Sequence, residues 1–129
     1  MKVKFFNPNH LDKNLKASVH KTGKLGFTVE AARKMSLSTD KSASIGINED
    51  DPLDKSLYVM IRDGRRPESF NISKAGDYYY VNAKALFDNL KIDYVKDTVV
   101  YDITEEEYEE GALFKLRRRE KSKKTNDTV

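Results

Sequence analysis

The sequence predicts an α+β domain, mostly β, in which two tandem β-β-α-β-β units pack as one pseudo-symmetric barrel-like body with a basic C-terminal tail. Three observations lead there. The 129 residues are the length of one domain. A shift of 53 residues aligns Lys21 with Lys74, Gly23 with Gly76, Ala32 with Ala85, Leu37 with Leu90 and Asp40 with Asp93. Around these identities, apolar alternation of period two flanks a short helix-forming stretch in each copy. The expected organisation is an extension over 1–14, a first unit over 15–62, a linker over 63–68, a second unit over 69–116 and a disordered tail over 117–129.

The elements follow in order. Val3, Phe5 and Phe6 suggest an extra edge strand before the first unit. Leu15, Ala17 and Val19 alternate with polar residues, as Phe70 and Ile72 do in the second copy, and each reads as a half-buried strand. Both strands run into a turn tripeptide, Lys21-Thr22-Gly23 or Lys74-Ala75-Gly76, where glycine admits positive φ. A second strand returns through Leu25, Phe27 and Val29, or through Tyr78 and Tyr80. Since consecutive strand residues face opposite ways, Tyr79 opposes its two neighbours; either two of the three enter the core or one does.

Helices are expected over 30–35 and 82–89, the second with Ala83, Leu86, Phe87 and Leu90 at i, i+3, i+4 and i+7 and Asn82 as N-cap. Ile45 and Ile47, then Leu57, Val59 and Ile61, complete the first unit; Val99 and Tyr101, then Ala112, Phe114 and Leu116, complete the second. Thr104 with Glu107 offers a capping box for one helical turn. The expected core includes Phe27, Ile45, Tyr80, Leu86, Leu90 and Val99.

Composition removes several function classes. There is no cysteine, hence no disulfide, thiol nucleophile or thiolate metal site. No apolar run approaches the ~20 residues of a membrane span, and the N-terminal MKVKFFNPNH is too short and polar for a secretory signal, so a cytoplasmic protein with no membrane partner is expected. His10 and His20 have no identifiable metal partners, and the acidic stretches 48–52 and 102–110 lack the alternating oxygen ligands and central glycine of a calcium loop. No phosphate-cradling glycine motif or nucleophile elbow occurs. No enzyme activity, catalytic residue, cofactor or metal is therefore expected.

Charge is distributed unevenly. Residues 115–129 hold seven Lys and Arg against two acids, a net of +5, whereas residues 1–114 hold 17 against 19, a net of −2. A basic tail is attracted to polyanions. Candidate nucleic-acid contacts are Lys21 and Lys24 at the first hairpin, Arg33 in the first helix, Arg65 and Arg66 in the linker, and Arg117, Arg118, Arg119, Lys121, Lys123 and Lys124 in the tail.

The segment Gly23 to Leu37, GKLGFTVEAARKMSL, resembles the core motif of the AbrB-like swapped-hairpin family, which includes antitoxins of the MazE type and the two-repeat MraZ proteins. Gly23 and Lys24 match its glycine and basic positions, Leu25 and Phe27 its aliphatics, Arg33 its helix arginine, and Met35 and Leu37 its closing apolar pair. Thr28 stands where proline is usual and Ser36 where glycine is usual; in the second copy Asp77 takes the basic position and Val81 the proline position. The resemblance implies that two units interleave into one core, within a tandem chain or as a homo-oligomer. It also implies a DNA partner, with sequence-specific binding and transcription regulation as the function and contacts from the first copy's hairpin and helix start. The opposing expectation is a protein-interaction or structural module without a nucleic-acid role, for which the net −2 of residues 1–114 argues.

Overall fold

Alternating strands with one apolar face must cover that face, and here they do so by closing on one another. A computed structural model describes residues 1–6, 8 and 14–120. Its elements are β1 (Lys16–Val19), β2 (Lys24–Phe27), α1 (Val29–Lys34), β3 (Lys41–Gly46), β4 (Leu57–Asp63), β5 (Phe70–Ala75), β6 (Tyr78–Asn82), α2 (Lys84–Asn89), β7 (Val99–Tyr108) and β8 (Gly111–Arg118). The eight strands form a closed antiparallel barrel in the order β1-β2-β6-β5-β3-β4-β8-β7, with β7 pairing back onto β1. Hairpins from the first and second halves of the chain thus alternate around the barrel. No described helix is long and apolar enough to cross a membrane.

The barrel interior is filled from both halves by Ala17, Leu25, Phe27, Leu57, Val59, Ile72, Val81, Val99, Tyr101, Phe114 and Leu116, with Phe87 of α2 and Ala31 and Ala32 of α1 added from the helices. Of the expected core, Phe27 and Val99 are buried, whereas Ile45, Leu86 and Leu90 are half-buried and pack against the cluster from its margin. Tyr80 is corrected outright, since it lies on the outer face.

The cause is turn length. In the first hairpin His20 N–H donates to Lys24 O at 2.8 Å, leaving Lys21 to Gly23 as a three-residue turn, whereas Ala75 pairs with Tyr78 across only Gly76 and Asp77. Both glycines take positive φ, +89° and +61°. Because the second turn is one residue shorter, Leu25 and Phe27 correspond in orientation to Tyr79 and Val81, and a one-residue slip exchanges the faces of a strand. Tyr79 packs against the core; Tyr78 and Tyr80 point away from it.

Other expectations change for local reasons. Val29 begins α1 and is exposed, because Thr28 ends the strand by capping the helix: its Oγ1 accepts from Ala31 N–H at 3.2 Å. In α2 the N-cap position is Ala83, and the Asn82 Oδ1 accepts from Lys84 N–H at 3.4 Å from one residue upstream. Thr104 and Glu107 belong to β7 rather than to a helical turn, and β7 and β8 run on as a two-stranded ribbon from Thr104–Lys115 to Tyr108–Gly111. Ala112 in that ribbon and Ile47 beyond β3 are therefore exposed. Val3, Phe5 and Phe6 are exposed and form no strand, since a closed barrel has no edge to receive one. Arg117 and Arg118, expected in the disordered tail, belong to β8, and Arg119 N–H donates to Val100 O at 2.8 Å.

Both helices end the same way. Leu37 N–H reaches Ala32 O and Ile92 N–H reaches Phe87 O, each at 3.0 Å, around a residue with left-handed φ, Ser36 at 54° or Lys91 at 60°. Ser36 thus occupies a conformation that favours glycine. Ser36→Gly is expected to raise stability by about 0.5–1 kcal/mol, the residual of relieved strain over added chain entropy, measured by urea unfolding. In the same assay Phe87→Ala, at a fully buried ring, should cost about 3–5 kcal/mol, and the half-buried Leu90→Ala distinctly less.

Candidate nucleic-acid interface

Strand alternation divides β1, β2, β6 and β5 into an apolar inner face and a polar outer one. With Ala17, Val19, Leu25, Phe27, Ile72 and Val81 turned inward, the outward positions are Lys16, Ser18, His20, Lys24, Gly26, Tyr78, Tyr80, Asn82, Asn71, Ser73 and Ala75. None is a carboxylate, although residues 1–114 carry more acids than bases.

An aromatic cluster occupies the middle of this face. The rings of Tyr78 and Tyr80 are stacked, 5.8 Å between centroids and 23° between planes. Lys24 Nζ lies 4.7 Å from the Tyr80 centroid, a cation over a π face, and His20 meets Tyr78 edge-on at 5.6 Å. The Tyr78 hydroxyl hydrogen-bonds to His20 Nε2 across β2. That path exists because position 26 has no side chain: a Cβ there would fall 1.4 Å from the Tyr78 Oη. Burial, reinforced by the neighbouring Tyr80, pushes the Tyr78 phenol above its ordinary pKa, so it stays neutral and available as a hydrogen-bond donor. Tyr80 pairs in register with Gly26 on one side and Ser73 on the other.

The basic residues expected to touch DNA fall in separate places. Lys21 is exposed in the β1–β2 turn, beside Lys24 at the head of β2. Gly23 O of that turn accepts from Ala83 N–H at 3.1 Å, which brings the start of α2 alongside. Arg33 is exposed on α1. Arg65 donates to Thr39 O at 3.5 Å and Arg66 to Asp63 O at 3.4 Å, holding both in the β4–β5 loop, beside the loop that leads into β3. Arg118 and Arg119 are paired, with Asp97 at 3.9 Å and Asp102 at 2.6 Å, while Arg117 is exposed. Lys121, Lys123, Lys124 and His10 lie outside the described residues. Of the expected contacts among the described residues, Lys21 and Lys24 adjoin the aromatic cluster and the others do not.

The acidic stretches have structural partners. Asn48, Asp51 and Asp54 side chains accept from the backbone N–H groups of Asp50, Leu53 and Ser56 at 2.9–3.1 Å. The Tyr58 hydroxyl also donates to Asp54, which lowers that carboxyl well below its usual range and pushes the tyrosine up to about 12. Glu105 meets Lys34 at 3.3 Å and Glu110 meets Arg62 at 3.9 Å. Among the described residues no group of three or more His, Asp or Glu is placed to hold a metal.

Tyr78, Tyr80, His20 and Gly26 were not singled out as contacts by sequence. The unequal turn lengths that set the facing of the tyrosine run come from strand pairing, whereas in the sequence the two glycine tripeptides align residue for residue. Comparison of the chain with protein-family models, curated proteins and solved structures finds no match.

Gly26→Ala should displace Tyr78 rather than unfold the barrel, because the overlap is with the far end of a side chain. A destabilisation of about 1 kcal/mol is expected by thermal or urea unfolding, and it should vanish in a Tyr78→Ala background, where the overlap with the phenol ring is gone.

Proposed function

We propose that the protein is a small non-enzymatic DNA-binding protein of the AbrB-like swapped-hairpin type, with transcription regulation as its role. The observation that carries the DNA reading is the outer face of β1, β2, β6 and β5, whose strand positions hold no carboxylate; there Lys24 and His20 contact two outward tyrosines, Lys21 is exposed in the adjoining turn, and Asp77 of the β5–β6 turn lies at the margin beside Tyr78. In a chain whose first 114 residues are net acidic, a sheet face with lysines and no acid at its strand positions is suited to a polyanion. The exposed Arg117 and the basic tail add electrostatic attraction without base discrimination.

Two features of the fold support the family reading. Each half contributes two strands, a helix and two strands, and exchanging β1 to β4 for β5 to β8 maps the barrel order onto itself. This supports an internal pseudo-two-fold with the two units interleaved within one chain. The unequal hairpin turns are a departure from it, and they give the tyrosines to the outer face in the second unit alone.

One observation favours a protein-interaction module instead: the β7–β8 ribbon, exposed from Thr104 to Ala112, carries Glu105, Glu106, Glu107, Glu109 and Glu110. The two readings separate in a salt titration of duplex binding. Each phosphate neutralised on duplex DNA adds about 0.9 to the slope of log K against log salt. Lys21→Ala with Lys24→Ala is expected to flatten the slope by up to about 2, and deletion of residues 120–129 to flatten it further while sparing any sequence preference. Absence of binding by the full chain to duplex and to single-stranded DNA alike at low salt would count for the interaction module.

A further inference from the structure

We infer that the Tyr78–Tyr80 pair is a base-stacking platform and that the chain prefers an unpaired DNA strand over a duplex. This rests on the DNA reading above and adds what part of the nucleic acid is held. The argument begins with what the face displays. Two stacked phenol rings, 5.8 Å apart, stand on the outer side of β6, half-buried and turned away from a core that Tyr79 already serves. Outward aromatics add nothing to the barrel interior, and the Tyr78 ring takes its present position over β2 in the space left by Gly26.

The surroundings match the parts of a single strand. Base faces stack on aromatic rings, and this recognition is tolerant of sequence because every base has a π face. Lys24, over the Tyr80 ring, and Lys21, exposed in the adjoining turn, place positive charge where the backbone of a stacked nucleotide would run. Asn71 on β5 and Asn82 on β6, both exposed, offer donors and acceptors to base edges. The outward strand positions hold no carboxylate to repel phosphate, and Asp77, in the β5–β6 turn beside Tyr78, leaves the Lys24 and Tyr80 side as the one suited to the backbone. A duplex, by contrast, hides its base faces within the stack and presents only edges and phosphates. These tyrosines sit on a strand of a sheet face, with the starts of α1 and α2 at its borders.

The test uses the full chain with fluorescently labelled oligothymidylate and a labelled duplex of the same length at low salt. Wild type is expected to bind the single strand more tightly. Tyr78→Leu and Tyr80→Leu should each weaken oligothymidylate binding roughly five- to 150-fold, with duplex binding changed less than about twofold, and Tyr80→Phe should bind as wild type. Far-UV circular dichroism checks the fold of each variant. A second readout does not depend on the leucine variants folding. The chain has no tryptophan, so its emission is that of tyrosine, and oligothymidylate bound by stacking should quench it. Folded leucine variants with wild-type affinity, binding without quenching, or a duplex held as tightly as the single strand would overturn the platform while leaving DNA binding in place. Failure to bind either probe would overturn both.

Discussion

Barrel closure is the constraint on which the rest of this structure depends. Each hairpin is flanked on both sides by hairpins from the other half of the chain: β1 and β2 lie between β7 and β6, and β3 and β4 between β5 and β8. Neither half can cover its apolar face alone, because its own two hairpins are not neighbours. Folding therefore couples residues far apart in sequence, as the Leu25–Val81 and Val59–Phe114 pairings illustrate. Such non-local pairing carries a loop-closure cost before it returns any burial.

Closure also makes every strand position either interior or exterior, so small changes in turn length have large consequences. The three-residue turn at Gly23 and the two-residue turn at Gly76 differ by one residue, and that difference sends Tyr78 and Tyr80 outward. Once outside, the rings need room on the neighbouring strand. Gly26 supplies it, and His20 and Lys24 complete the cluster from β1 and β2. The candidate site is thus a by-product of register, assembled from both halves across the β2–β6 pairing.

Charge follows the same division of space. The acids concentrate in the 48–56 loop, where they accept backbone hydrogen bonds, and in the β7–β8 ribbon, which runs beyond the barrel pairing of β8 with β4. Ion pairs with Lys34 and Arg62 tie the ribbon back to α1 and β4, though as partly exposed pairs they contribute little to stability. Of the tail's arginines, Arg118 and Arg119 are held by Asp97 and Asp102, so part of the apparent basic block is neutralised within the fold.

The sequence by itself determined the kinds and order of the elements: alternation at Ala17 and Val19, at Leu57 and Val59 and at Val99 and Tyr101 reads directly as strands, and glycine at positions 23 and 76 reads as turns. It also determined the segregation of charge between the first 114 residues and the tail. These are local properties, carried by period and residue type. Only the tertiary structure decided which hairpins are neighbours, that the ends meet at β1 and β7 with no edge left for Phe5 or Phe6, and that 104–108 continues a strand instead of starting a helix. It alone decided that Tyr79 and not Tyr80 serves the core, and that His20, Gly26 and Tyr78 share one patch. The physical reason is that strand pairing is non-local: which face is buried, and which residues meet across it, is set by a partner strand elsewhere in the chain.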